Sequence, residues 1–177
     1  MKKLGVRILT GLVIISHFFQ SCEKRPIPDV LPEFTTSGKN TFGCYINGEA
    51  YIPVVRRFIC CEGQPSAIIT DYIGYPVYEF NVSTIRAVDE EDTVNDAAVR
   101  INIMNPEKEA EYKVNNAIVK YNKNYYYVDP VKKGSVRILK LDTVNHIISG
   151  KFTFKAYNSE DMTDSVSLTD GRFDLKY

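Results

Sequence analysis

Alternation of apolar and polar residues constrains this chain more than any other feature. Tyr78, Phe80 and Val82 alternate with Glu79, Asn81 and Ser83. Val99, Ile101 and Ile103 alternate with Ala98, Arg100 and Asn102, and Phe152, Phe154 and Ala156 with Lys151, Thr153 and Lys155. A two-residue period sends one side of an extended chain into a core and the other into water. A helix of about 3.6 residues per turn would scatter the same residues around its surface. The tyrosine, valine, isoleucine, phenylalanine and threonine in these runs suit a pleated, half-buried surface.

Turn chemistry agrees with the strands. Phe42 to Ile46, then Asn47-Gly48, then Glu49 to Ile52 reads as a hairpin, because Asn-Gly accepts the two positive φ angles of a type I′ turn. Gly134 opens the run Ser135 to Leu141, and Asp142 to Asn145 links it to the run from Ile147 to Tyr157. Near the C-terminus the apolar parity slips: Val166 and Leu168 are even-numbered, Phe173, Leu175 and Tyr177 odd. Such a slip exposes half of a strand's apolar side chains unless the backbone corrects it, so a bulge or tight turn is expected at Asp170-Gly171. Only Asn105 to Glu111 looks helical, with a capping asparagine, Pro106 and early glutamates over one or two turns. About eight to ten short strands then predict one all-β domain: an antiparallel β-sandwich, or alternatively a small lipocalin-like barrel.

The N-terminus predicts an address. Lys2, Lys3 and Arg7 precede an apolar run from Ile8 to Phe19, roughly 18 Å if helical and too short for a bilayer core. That pattern fits a signal peptide over residues 1–21. Phe19-Gln20-Ser21-Cys22 resembles a relaxed lipobox, which would leave Cys22 as an acylated N-terminal residue; an ordinary secreted protein cut near Ser21 is the alternative. Residues 22–40, with Pro26, Pro28, Pro32 and Ser37-Gly38, read as an extended tether, and 41–177 as the all-β domain. The 22 basic residues lose Lys2, Lys3 and Arg7 on cleavage, leaving 19 against 22 acidic, which argues against nucleic acid as a partner.

Gly38 to Gly48, with Tyr51-Ile52-Pro53, Ile147 to Phe154 and Leu168 to Asp174, resembles a family of uncharacterised Bacteroidota lipoproteins. Family members carry a bulky aromatic at the Tyr51 position, and a glycine where this chain has Glu111. The resemblance implies an envelope address and a β fold. The family is a domain of unknown function, so the likeness supplies neither activity nor site.

Residues with chemistry to offer are few. Cys44, Cys60 and Cys61 would meet an oxidising compartment, where one bridge from Cys44 to Cys60 or Cys61 would close a loop of about 17 residues, stabilising by roughly 3 kcal/mol; reduced, packed thiols are the alternative. The one histidine beyond the signal, His146, lies in a polar turn, which leaves neither a metal set nor a serine triad in view. Asp89-Glu90-Glu91-Asp92 and Asp96 read as a solvated acidic loop. No cofactor signature occurs.

Tyrosines are more suggestive. Tyr121, Tyr125, Tyr126 and Tyr127 cluster beside Asn122, Lys123 and Asn124. In a strand, Tyr125 and Tyr127 share one face and Tyr126 takes the other; exposed rings with amide neighbours suit a carbohydrate or aromatic ligand, whereas buried rings would simply be core. Asp92-Thr93-Val94, Asp142-Thr143-Val144 and Asp164-Ser165-Val166 each resemble an Asp-Ser/Thr-apolar O-glycosylation tripeptide, making Thr93, Thr143 and Ser165 candidates. The expectation is therefore a non-enzymatic envelope lipoprotein with a binding or assembly role, held at the outer membrane by lipid, with envelope proteins or glycans as partners. A carbohydrate-handling hydrolase or its accessory subunit is the alternative. Glu23-Lys24-Arg25-Pro26 lacks the acidic run of a surface-export signal, which favours the periplasmic face.

Overall fold

The computed structural model describes residues 29–53, 65–71, 78–86, 97–114, 116–129, 131 and 134–177. Among the described residues eleven strands run in chain order. They are β1 (Thr41–Ile46), β2 (Glu49–Tyr51), β3 (Ser66–Asp71), β4 (Tyr78–Arg86), β5 (Ala97–Met104) and β6 (Glu111–Lys113), then β7 (Asn116–Tyr121), β8 (Asn124–Val128), β9 (Ser135–Asp142), β10 (Ile147–Asn158) and β11 (Ser165–Lys176). All pairings are antiparallel, in the order β2-β1-β11-β10-β8-β7-β5-β4-β3. The edge strand β3 comes back into contact with β11, so the sheet curls into a half-barrel. The all-β reading holds, and a single curled sheet accommodates both the sandwich and the small-barrel alternatives.

The long strand β10 is a fork. Its first part pairs with β9, from Ile147 to Thr153, and its last three residues, Ala156 to Asn158, pair with β8. β6 then lines the outer side of β9. On β10 the even residues Ile148, Gly150, Phe152, Phe154 and Ala156 are buried while Lys151, Thr153 and Lys155 are exposed, as the alternation requires.

An aromatic cluster fills the concave side. Phe152 lies 5.4 Å from Phe42, 5.8 Å from Phe154 and 6.5 Å from Phe173, ring centre to ring centre. Tyr51 is fully buried and crosses the interior: its hydroxyl lies 2.9 Å from Thr84 Oγ1 on β4 and donates to the Ala97 carbonyl of β5 at 3.3 Å. Thr84 in turn donates to the Val99 carbonyl, so the buried polar atoms that join β2 to β4 and β5 are satisfied.

Two turn expectations hold for a local reason. Asn47 and Gly48 take φ of 51° and 87°, and Ile46 pairs with Glu49, the geometry of a two-residue type I′ hairpin. Asp170 takes φ of 50°, and Thr169-Asp170 together face the single residue Thr153 between the Phe152–Gly171 and Phe154–Leu168 pairs. This bulge returns Phe173 and Leu175 to the core side.

One expectation fails. No helix forms among the described residues, and Asn105 to Ala110 is irregular chain leading into β6. Asn105 has φ of 44°, unlike the extended backbone of a helix cap, and the Ala110 carbonyl instead accepts from the amide of Ile138. A helix of one or two turns has little stability of its own, so pairing with β9 prevails.

The end of the stretch read as tether lies on the domain. Leu31 is buried, Pro32 packs against Gly43, and the Pro32 carbonyl accepts from Arg172 Nη1 at 3.4 Å. Just beyond, Asp174 gathers the segment. Its carboxylate is fully buried and accepts from the Thr35 hydroxyl, from the amides of Ser37 (3.0 Å), Gly38 (2.8 Å) and Lys39 (3.2 Å), and from the Ser149 hydroxyl (2.6 Å). Burial opposes charge on this group, but the hydrogen bonds from Ser149, Thr35, Gly38 and Lys39 outweigh it and hold its pKa at about 2.

Candidate functional site

The β7–β8 hairpin positions the tyrosines. Asn122 and Lys123 take φ of 49° and 69°, a second two-residue turn, which sets Lys120 opposite Tyr125, Val119 opposite Tyr126 and Ile118 opposite Tyr127. Tyr126 therefore joins Val119 in the core at 4% exposure, with its hydroxyl donating to Asp164 Oδ2 at 3.1 Å. Burial raises the Tyr126 pKa, and the nearby Asp164 carboxylate adds to the rise. Tyr121 packs at the core margin and donates to Glu49 Oε2 at 2.8 Å.

Tyr125 and Tyr127 project outward, 52% and 42% exposed. Tyr127 sits in register with Tyr157 of β10, and Lys155 Nζ lies 5.4 Å from the centre of the Tyr157 ring. The structure thus brings two of the four clustered tyrosines to one solvent-facing surface and assigns the other two to the inner side. Sequence patterning did not single out Tyr157, because the β8–β10 pairing that brings it there joins residues about thirty positions apart.

Other singled-out residues are scattered. Cys44 is buried on β1; Cys60 and Cys61 lie outside the described residues, so the expected bridge does too, and no disulfide is seen among the described residues. Cys22, Thr93 and the acidic stretch from Asp89 to Asp96 also lie outside them. Thr143 is exposed in the β9–β10 turn, where Asp142 accepts from the amides of Val144 and Asn145. Ser165 is half-buried at the start of β11, with Val166 buried behind it. His146 is exposed in the same turn as Thr143, its ring edge-on to Tyr177 at 5.5 Å.

A second feature shares the outward face and was missed by sequence patterning. Arg137, Lys151 and Arg172 occupy consecutive cross-strand positions on β9, β10 and β11. The signal was present, since each sits at an outward position of its strand, but only the register aligns them.

These features define an all-β half-barrel with a docked N-terminal segment and an aromatic and basic outer face. The chain belongs to the family described as Domain of unknown function (DUF6252), whose model matches residues 79–174, from β4 into β11. No curated protein and no solved structure matches the chain.

Proposed function

We propose that this protein is a non-enzymatic lipoprotein of a Bacteroidota cell envelope, anchored in the outer membrane through Cys22, whose half-barrel holds a neutral glycan against Tyr125 and Tyr127. The observation that carries this reading is the pair of rings left 52% and 42% exposed on the rigid β7–β8–β10 surface while the tyrosine between them is buried. Tyrosine rings expose an apolar face suited to stacking on a sugar, with a hydroxyl for its polar edge. Two such rings on one strand lie about 7 Å apart along the chain, a spacing within the reach of adjacent sugar units.

Titration with neutral cello-, chito- and malto-oligosaccharides tests the platform. At least one should bind wild type, and Tyr127→Ala should weaken it by about tenfold while unfolding free energy changes by under about 0.5 kcal/mol, as exposed substitutions usually do. Tyr126→Ala is the contrast, expected to lower stability by about 3 kcal/mol because that ring is core. Failure of every oligosaccharide, or equal binding by Tyr127→Ala, would remove the platform. Cleavage of the oligosaccharide during titration would favour the hydrolase reading instead.

The address is tested separately. Cys22→Ala should abolish incorporation of labelled palmitate and release the protein from the membrane fraction, because each buried methylene of an acyl chain adds roughly 0.8 kcal/mol of membrane affinity. Undiminished labelling in that variant would end the lipoprotein reading.

A further inference from the structure

On the outer face, one row of side chains crosses four strands: Glu111 on β6 is opposite Arg137 on β9, Arg137 opposite Lys151 on β10, and Lys151 opposite Arg172 on β11. Directly opposed residues on neighbouring strands stand about 5 Å apart at Cβ, and like charges so placed repel. Three cations in succession therefore destabilise this face. Among the described residues the one ion pair at contact distance is Lys140–Asp142 elsewhere; Glu111 faces only Arg137, at the end of the row, and Lys151 remains between two cations.

The row is also shaped and oriented. It lines a concavity of about 340 Å³, to which Ser135, Thr153 and Asp170 add polar walls. The bulge at Asp170, where the β10–β11 register shifts, borders this hollow. Arg172 is fixed through Nε to the Asp170 carbonyl at 3.2 Å and through Nη1 to the Pro32 carbonyl, and Lys151 Nζ lies 5.1 Å over the Phe34 ring. The docked segment thus holds two of the three cations in place, so little side-chain freedom remains to be lost on binding.

We infer that this concavity is a binding site for an anionic sugar unit, its acid group seated on Arg137, Lys151 and Arg172 and its hydroxyls on Ser135, Thr153, Glu111 and Asp170. Guanidinium and ammonium groups donate charge-assisted hydrogen bonds to carboxylate or phosphate oxygens, and an acid there relieves the repulsion along the row. Glu111 and Asp170 accept from the sugar's hydroxyl groups. The volume suits one or two sugar rings. This inference stands apart from the tyrosine face, which lies beyond the fork of β10 and involves none of these residues.

Calorimetric titration of the folded domain with trigalacturonic acid, galactotriose and glucose 6-phosphate at low and high salt is the test. The acid trisaccharide should bind saturably, lose affinity as salt rises, and exceed galactotriose by at least tenfold. Arg137→Gln and Lys151→Gln, both at exposed positions, should each weaken it about tenfold without lowering Tm, while Tyr127→Ala leaves it unchanged. Binding of glucose 6-phosphate alone, with the same response to Arg137→Gln, would uphold the site and assign its acid as phosphate. The inference is overturned if neither acid binds, if galactotriose binds equally well, or if both glutamine variants bind as wild type does.

Discussion

Asp174→Ala is expected to destabilise the folded protein by about 4 kcal/mol and to free the chain from Leu31 to Asn40 from the half-barrel. Five donors converge on this one carboxylate, and three are backbone amides of the docked segment. Once the acceptor is gone, the segment's amides can turn to water, but Ser149 is fully buried and loses its partner outright. An orphaned buried polar group costs about 1–3 kcal/mol, hydrogen bonds to a charge contribute about 1.5–3 kcal/mol each, and breaking a buried charged contact typically costs 3–5 kcal/mol. Urea unfolding reads the loss, and hydrogen exchange at Ser37, Gly38 and Lys39 reads the release. A loss under 1 kcal/mol, or undiminished protection of those amides, would show that the clamp is not what docks the segment.

The same carboxylate sets an acid limit. Its folded pKa of about 2 lies below its ordinary value of 3.8, so its stabilisation is complete above about pH 4 and is lost as pH falls toward 2. Over that interval the loss amounts to roughly 2–3 kcal/mol. Asp174→Asn should flatten the fall of stability between pH 4 and 2. The slope that remains belongs to turn carboxylates such as Asp142, which hydrogen bonds from Asn145 also hold at about 2.

Features legible in the sequence are those that neighbouring residues specify. The alternation on β4, β5 and β10, the Asn47-Gly48 turn and the Asp170-Gly171 bulge each follow from a few consecutive side chains and their permitted φ angles. The same period-two rule separates Tyr126 from Tyr125 and Tyr127, but which side faces inward is set by the pairing of β8 with β7 and β10. Features set by partners far along the chain were not legible. Asp174 lies at least 135 positions from the tether residues it holds, and nothing in Thr35-Thr36-Ser37-Gly38 announces an acceptor. The proline-rich composition that reads as an extended tether is compatible with docking once a carboxylate supplies the hydrogen bonds that such a segment cannot make for itself. Likewise Arg137, Lys151 and Arg172 look like ordinary outward residues until the β9–β10–β11 register places them side by side.

Gly171→Ala is expected to destabilise the protein by about 3 kcal/mol, although it adds a single methyl group. Gly171 is buried opposite Phe152, and a Cβ built there would lie 2.4–2.5 Å from three atoms of that ring. No real Cβ contact is so close, so the ring must move. It has little room, because Phe42, Phe154 and Phe173 surround it within 6.5 Å. Overpacking a close-packed core usually costs about 1–3 kcal/mol, and the upper end fits a neighbour confined on three sides. Thermal unfolding measures the loss, and a double-mutant cycle identifies its cause. Phe152→Ala alone should cost about 3–5 kcal/mol through the cavity it leaves. If the clash with the ring is responsible, Gly171→Ala adds almost nothing in the Phe152→Ala background, and the two effects fall short of additivity by about 3 kcal/mol. Full additivity would mean that the added methyl group is opposed by something other than the Phe152 ring.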